Sequence, residues 1–176
     1  MAQLIITAVG PDRPGIVGEL TGHLHSAGAN LLDSRMINLR GQFSMLILLE
    51  APQQNLNDLT KQLTELAKRM NLRIETFAQP ERSSTRSAPH GLTYRLKTYS
   101  LDQPGIVARL THVLRNHGVN IEELSARQES AAFDGGAIFL TEMKLTVPVG
   151  LALGKLRSEL ESVGAELNCD IDLDPA

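Results

Sequence analysis

A segment repeated at a fixed offset constrains the fold of this chain more than any other feature of its sequence. The stretch Asp12–Asn30 returns without a gap as Asp102–Asn120, an offset of 90 residues. Ten of these 19 positions are identical, whereas chance at average composition gives about one match. Solenoid repeats are only roughly 20–50 residues long, so this longer period predicts a duplicated domain.

The boundary between the two copies is predicted from composition. The 176 residues are enough for two small domains, each with a modest core. Residues 80–90 include no large apolar side chain, which is typical of an exposed linker. We therefore predict a first domain over residues 1–79, a linker over 80–90 and a second domain over 91–176.

Hydrophobic periodicity predicts the elements of the first copy. Asp12 is placed to cap a helix that begins near Pro14, because proline fits a first helical turn, and Gly28 is placed to end it in a left-handed conformation. The predicted elements are a strand Leu4–Val9, the helix Pro14–Ala27, strands Leu31–Leu39 and Phe43–Leu49 with a turn at Gly41-Gln42, a helix Leu56–Met70 and a strand Leu72–Phe77. This order is βαββαβ, the split βαβ arrangement of ferredoxin-like folds.

The second copy repeats this order with a longer hairpin after its second strand. The predicted elements are strand Leu92–Tyr99, helix Pro104–His117, strand Val119–Arg127, a hairpin Gln128–Gly136 that ends in Asp134-Gly135-Gly136, strand Ala137–Val147, helix Leu151–Val163 ending at Gly164, and strand Ala165–Leu173. The predicted class is α+β: two tandem ferredoxin-like domains, each an antiparallel sheet with its helices on one face.

The third strand of the first copy is apolar on both faces. Leu46 and Leu48 lie on the face opposite Phe43 and Met45. Helices cover only one face of such a sheet, so a covering element is expected on the other. The other copy of the module and a second chain are both candidates.

Charge and cysteine content limit the classes of function. The net charge of -3 provides no basic excess, and nucleic-acid affinity depends largely on neutralising phosphates. We therefore predict no direct contact with nucleic acid. Cys169 is the single cysteine and cannot form an internal disulfide. With no leader-like segment and no apolar run of membrane length, we expect a cytoplasmic protein that does not contact membranes.

The junction between the first strand and the first helix has the chemistry of a small-ligand site. The first N–H groups of a helix attract a carboxylate, and Gly15 allows close approach to the backbone. Asp12 could receive an ammonium group, and Asn30 offers both a donor and an acceptor. Together these groups suit a zwitterion. Alternatively, Asp12 and Pro14 simply begin a helix, and the Gly28–Asn30 segment ends it.

The sequence Asp-x-Pro-Gly-Ile-Val, followed by Gly-x-Asn within βαββαβ, resembles the ACT domain family in both halves of the chain. The resemblance implies regulatory modules that bind amino acids where two modules pair side by side. It places ligand contacts in the loop after the first strand and at the Asn that opens the second. The implied ligand-binding residues are Gly10, Asp12, Pro14, Gly15 and Asn30, then Ser100, Asp102, Pro104, Gly105 and Asn120.

The two implied sites are not identical. Some ACT relatives carry a polar side chain where this chain has Gly10, and the equivalent Ser100 keeps a hydroxyl. The resemblance therefore leaves open which of the two sites is used.

Three segments extend the resemblance to the family of glycine cleavage system transcriptional repressors, which consist of two ACT domains. The segments are Ile6–Val17, Asn30–Arg35 and Phe43–Leu49. The resemblance implies a regulator that is not an enzyme, that has no cofactor and that acts on a DNA-binding activator protein. It also implies a free amino acid, glycine or serine, as ligand, and a homo-oligomer. One departure is that the second copy retains Asp102, Pro104, Gly105 and Asn120, where a weaker motif is expected.

Two other functions and one other site are weighed against this hypothesis. The chain could be an ACT adaptor without a ligand, or a detached regulatory subunit of an amino-acid metabolic enzyme. His23 and His25 diverge on their helix, as do His112 and His117, so no metal site is predicted. Cys169 is predicted to be a small buried hydrophobe in the last strand.

Overall fold

The computed structural model describes residues 1–79, 91–130 and 136–176, and the chain divides into two compact units. The first contains β1 (Ala2–Pro11), α1 (Ile16–Ser26), β2 (Asn30–Leu39), β3 (Gln42–Ala51), α2 (Gln53–Met70) and β4 (Arg73–Gln79). The second contains β5 (Gly91–Leu101), α3 (Ile106–Asn116), β6 (Asn120–Ser130), β7 (Ala137–Pro148), α4 (Leu153–Glu166) and β8 (Cys169–Pro175). The predicted linker, 80–90, and the hairpin residues 131–135 lie outside the described residues.

Each unit is a four-stranded antiparallel sheet in which the first strand lies in the centre. The strand orders are β2-β3-β1-β4 and β6-β7-β5-β8, and every paired neighbour is antiparallel. The predicted βαββαβ order and the predicted α+β class are therefore confirmed in both halves.

The core of the first unit lies between its sheet and its two helices. On β3 the alternate residues Phe43, Met45, Ile47 and Leu49 are buried in one cluster with apolar residues of α1 and α2. Five α2 side chains at helical spacing join this cluster, as predicted: Leu56, Leu59, Leu63, Leu66 and Met70. Burying each such side chain stabilises the fold by about 1.5–3 kcal/mol. In the described part of the chain, no helix combines the length and apolarity needed to cross a membrane.

The two sheets share a β-bulge at equivalent positions. The register of β2 against β3 shifts between Leu31 and Asp33, and that of β6 against β7 shifts between Ile121 and Glu123. The residues skipped, Leu32 and Glu122, are 90 positions apart. The duplication therefore extends to a local backbone irregularity that the sequence pattern did not reveal.

The predicted start of the first helix is wrong. α1 begins at Ile16, after Gly15 at φ 84°, and α3 begins at Ile106, after Gly105 at φ 93°. Among the described residues no side chain caps either helix, so Asp12 is not the predicted cap. The left-handed glycine turns the chain into the helix, a conformation that costs other residues about 1–2 kcal/mol.

The predicted helix end is confirmed for α1 and wrong for α4. Gly28 follows α1 in the left-handed conformation, at φ 74°, as predicted. In contrast, α4 continues through Gly164 to Glu166, and the left-handed residue is Asn168 at φ 45°. The predicted strand start at Ala165 is therefore also wrong, because β8 begins at Cys169.

Gly164 instead allows α4 to pack closely on β8, and this generates a prediction. A Cβ at this position would lie 2.7 Å from the Cys169 carbonyl oxygen and 2.9 Å from Ile171 Cδ1. Gly164→Ala should therefore lower the free energy of unfolding by about 1–3 kcal/mol through overpacking, despite the better helix propensity of alanine. Urea denaturation measures the change. Gly154→Ala is the control in the same helix, because a Cβ there meets no atom within 4 Å; equal stability of both variants would contradict the packing account.

Candidate functional site

The loop after β1 is anchored to the β2–β3 hairpin through Asp12. The Asp12 backbone N–H donates to the Gly41 carbonyl at 2.9 Å, and Asn38 Nδ2 donates to Asp12 Oδ2 at 2.5 Å. The Gly41 N–H in turn donates to Asn38 Oδ1 at 3.0 Å. One carboxylate oxygen of Asp12 therefore accepts a hydrogen bond that holds the loop in place.

The second unit builds the same anchor with a longer side chain. The Asp102 N–H donates to the Ala137 carbonyl at 2.8 Å, and Gln128 Nε2 donates to Asp102 Oδ2 at 2.7 Å. Asn38 and Gln128 are 90 positions apart, and sequence reasoning missed both. The available signal was a carboxamide 26 residues after the motif aspartate in each copy.

The structure does not bring Asp12 and Asn30 together within one unit. On β3, Phe43 pairs with Gly10 near the motif, whereas Glu50 pairs with Asn30. At about 3.4 Å per residue, these two points are roughly 24 Å apart along the strand. The antiparallel return of the chain therefore places the aspartate and the asparagine at opposite ends of each sheet.

Each asparagine lies beside a carboxylate at its own end of the sheet. Asn30 Nδ2 donates to Glu50 Oε1 at 3.4 Å, and Asn120 Nδ2 donates to Glu122 Oε1 at 2.6 Å. Hydrogen bonds from Asn120 and from Thr146 hold the pKa of the Glu122 carboxyl below its usual range. Glu122 therefore keeps its negative charge into more acidic solution, and this end of the sheet suits an ammonium group.

Gly10 and Ser100 occupy equivalent positions but meet different surroundings. A Cβ on Gly10 would lie 2.7 Å from the Asn71 carbonyl oxygen and from Leu72 Cδ2, so the first unit has no room for a side chain. In the second unit Ser100 pairs with Cys169, which takes the place of Leu72. The smaller cysteine side chain leaves room for the serine.

Ser100 lies against a pocket of about 290 Å³ at the end of the central strand β5. Its lining residues come from the end of β5, from the start of β7 and the residue before it, and from the start of β8 and the turn before it: Tyr99, Ser100, Leu101, Gly136, Ile138, Asn168 and Asp170. Ser100 is only 3% exposed, and its Oγ has no hydrogen-bond partner within the described residues. Buried hydroxyls are normally paired, so Ser100 leaves an unsatisfied polar group on the buried face of β5, beside this pocket.

The other candidate chemistry from the sequence is largely accounted for by packing. In the described ranges, no three His, Cys, Asp or Glu side chains are placed to hold a metal ion. His117 Nε2 lies 2.9 Å from Glu159 Oε2. Cys169 is buried in the core of the second unit, as predicted.

Comparisons with known proteins agree with this architecture. The family model described as the ACT domain matches residues 2–76. The glycine cleavage system transcriptional repressor of Escherichia coli K12 is 27% identical over 168 residues, 94% of this chain and 85% of the repressor. A UPF0237 protein of Methanosarcina mazei is 34% identical over 80 residues, 46% of this chain and 87% of that protein.

A solved structure resembles the whole chain. The crystal structure of an unknown protein from Galdieria sulphuraria has a TM-score of 0.79 and 27% identity, and the match covers 99% of this chain and 98% of that one. Both halves of the fold therefore have a counterpart in one known protein.

The contrast between Gly10 and Ser100 predicts opposite responses to alanine. Gly10→Ala should destabilise the chain by about 1–3 kcal/mol, because its Cβ would meet the rigid backbone at Asn71. Ser100→Ala should leave stability unchanged or raise it by up to about 1 kcal/mol, because it removes an unpaired buried hydroxyl. Thermal unfolding of both variants measures this. Marked destabilisation by Ser100→Ala would mean that the hydroxyl makes a stabilising contact.

Proposed function

The first unit of the chain belongs to the ACT domain family, and from this premise we propose that the protein is a cytoplasmic regulatory protein, not an enzyme, that responds to a free amino acid. Its regulatory target is the expression of glycine cleavage genes, as the name of the Escherichia coli relative suggests. The net charge of -3 favours action through a protein partner over direct binding to DNA. The partner is a DNA-binding transcription activator.

The observation that carries the ligand proposal is the pocket at the end of β5, which Ser100 helps to line and beside which its buried hydroxyl has no partner among the described residues. Leaving a buried polar group unsatisfied costs about 1–3 kcal/mol, and a bound ammonium or carboxylate group would remove that cost. The pocket, at about 290 Å³, is at the lower limit of the roughly 300–1,000 Å³ of sites for drug-sized ligands. A small amino acid such as glycine or serine fits this volume.

The asparagines complete the site in this proposal, but they come from a second copy of the chain. β2 and β6 are edge strands, and β2 exposes five large apolar side chains: Leu31, Leu32, Met36, Ile37 and Leu39. Such an edge favours pairing with another strand. When two β2 edges pair antiparallel across a two-fold axis, Asn30 of one copy lies beside the Leu39 end, and hence the Asp12 loop, of the other.

The same pairing of two β6 edges places Asn120 of one copy near the Asp102 loop of the other. The ligand would then contact the Ser100 pocket in one copy and the Asn120–Glu122 pair in the other, joining groups that no single unit brings together. A ligand held in this way stabilises the paired state by its differential affinity for that state. Ligand binding thereby changes the surface offered to the protein partner.

The two units have different tasks in this proposal. The first has no room for a side chain at Gly10, because the turn after α2 closes on that residue, so we assign it to association without a ligand. The second, with Ser100, senses the amino acid. The adaptor alternative therefore applies to the first unit, and the sensor hypothesis applies to the second.

Calorimetric titration of the full chain with glycine, serine and other amino acids tests the sensor. We expect saturable heat with at least one small amino acid, and we expect Asp102→Ala to lower its affinity at least tenfold. The matched control is Asp12→Ala, 90 positions earlier, which should retain binding; circular dichroism confirms that both variants fold. No heat with any amino acid at millimolar concentration, or loss of binding in the control alone, would overturn the assignment.

A further inference from the structure

The open face of the first sheet, the face turned away from α1 and α2, is apolar at its centre. Ile5 and Leu48 are half-buried there, and Leu46 and Phe77 are 46% and 49% exposed. Val9 adds a further exposed side chain at 42%. Contiguous apolar patches of this kind mark interaction sites on soluble proteins.

The second sheet is charged at the equivalent positions. The strand register places Ile5, Leu48 and Phe77 side by side in the first sheet. The same register places Arg95, Lys144 and Asp174 side by side in the second. The fold therefore does not require apolar residues at these three positions, and this apolar centre belongs to the first unit.

Charges flank this apolar centre in a self-complementary pattern. One row across the strands β2, β3, β1 and β4 reads Arg35, Leu46, Thr7, Glu75. A cation thus lies on one edge of the open face and an anion lies on the other. Both are exposed, and each also pairs with a neighbour on its own strand, Arg35 with Asp33 and Glu75 with Arg73.

We propose that two copies of this chain associate through the open faces of their first sheets. The two-fold axis runs parallel to the strands, between β3 and β1. It places Arg35 opposite Glu75 of the partner subunit, on both sides of the interface. In the next row it places Leu48 opposite Ile5 of the partner subunit, so apolar side chains meet at the centre.

The neighbouring rows bring no like charges together. In the row Asp33, Leu48, Ile5, Phe77, the rotation places Asp33 opposite Phe77 of the partner subunit. In the row Ile37, Ser44, Val9, Arg73, it places Ile37 opposite Arg73 of the partner subunit. The stem of an arginine packs well on an apolar side chain, so this contact is also favourable.

The size of the face is sufficient for a specific dimer. Four strands about 4.8 Å apart and about 27 Å long present roughly 500 Å² per copy. Two such faces bury about 1,000 Å² in total, the level from which specific interfaces begin. Aligned sheets pack about 10 Å apart at a crossing of about 30°, which suits side chains of this length.

This interface is separate from the features that carry the proposed function. It uses side chains on the open face of the first sheet, including Arg35 and Ile37 of β2, whereas the sensing proposal uses the backbone edges of β2 and β6 and the Ser100 pocket. An unchanged mass in the open-face variants would overturn this interface alone, whereas a monomeric wild type would overturn both proposals. The ligand titration reports on the pocket, and the association experiments below report on the open face.

Light scattering of the full chain measures the association. Leu46→Glu introduces the residue that the second sheet has at this position, Glu142, so the sheet should tolerate it. We expect the particle mass to halve relative to the wild type. Lys97→Glu, on the open face of the second sheet, is the control and should leave the mass unchanged.

Charge exchange provides a test that unfolding cannot mimic. Arg35→Glu and Glu75→Arg should each halve the particle mass, because like charges then face each other twice. Mixing these two variants should restore the wild-type mass, because every facing pair is again opposite in sign. An unchanged mass in Leu46→Glu, a monomeric wild type at micromolar concentration, or no recovery on mixing would overturn the proposal.

Discussion

The antiparallel pairing of each central strand with two neighbours is the constraint on which the rest of the structure depends. β1 lies between β3 and β4, and β5 lies between β7 and β8. This pairing fixes the motif loop under the β2–β3 hairpin through Asp12 and Asn38. It also sends Asn30 to the far end of the sheet. In the proposed function each unit therefore presents two half-sites, and a complete site is formed by two copies of the chain side by side.

The two units share one fold but differ in the polarity of equivalent side chains. On the core side of the sheet, Ala8 faces Met45 in the first unit, whereas Thr98 and Thr141 share a buried hydrogen bond of 2.6 Å in the second. Thr98 lies two residues before Ser100, so the buried face of β5 is polar near the pocket, whereas that of β1 is apolar. The first unit instead is apolar inside and on its open face, which suits association more than ligand binding.

The helices and strands could be predicted from patterns of neighbouring residues, whereas the arrangement of the candidate site depends on strand pairing between distant residues. The helical spacing of leucines in α2 and the left-handed Gly28 could be predicted because both depend on near neighbours. The predicted capping role of Asp12 is wrong because its carboxylate accepts a hydrogen bond from Asn38, which is distant in sequence. Gly164 was misassigned as a helix end because its packing against β8 is a tertiary contact. The pocket at Ser100 likewise depends on the small Cys169 across the sheet, which no local pattern encodes.

An amide NMR titration of the full chain with glycine and with serine tests the central claim, that the second unit senses a free amino acid. The account predicts saturable shifts at the backbone amides of the pocket and motif loop, from Ser100 to Asp102 and at Gly105 and Gly136. The equivalent loop of the first unit, Gly10 to Gly15, should shift less. Absence of shifts at millimolar ligand, or shifts confined to the first unit, would contradict the account.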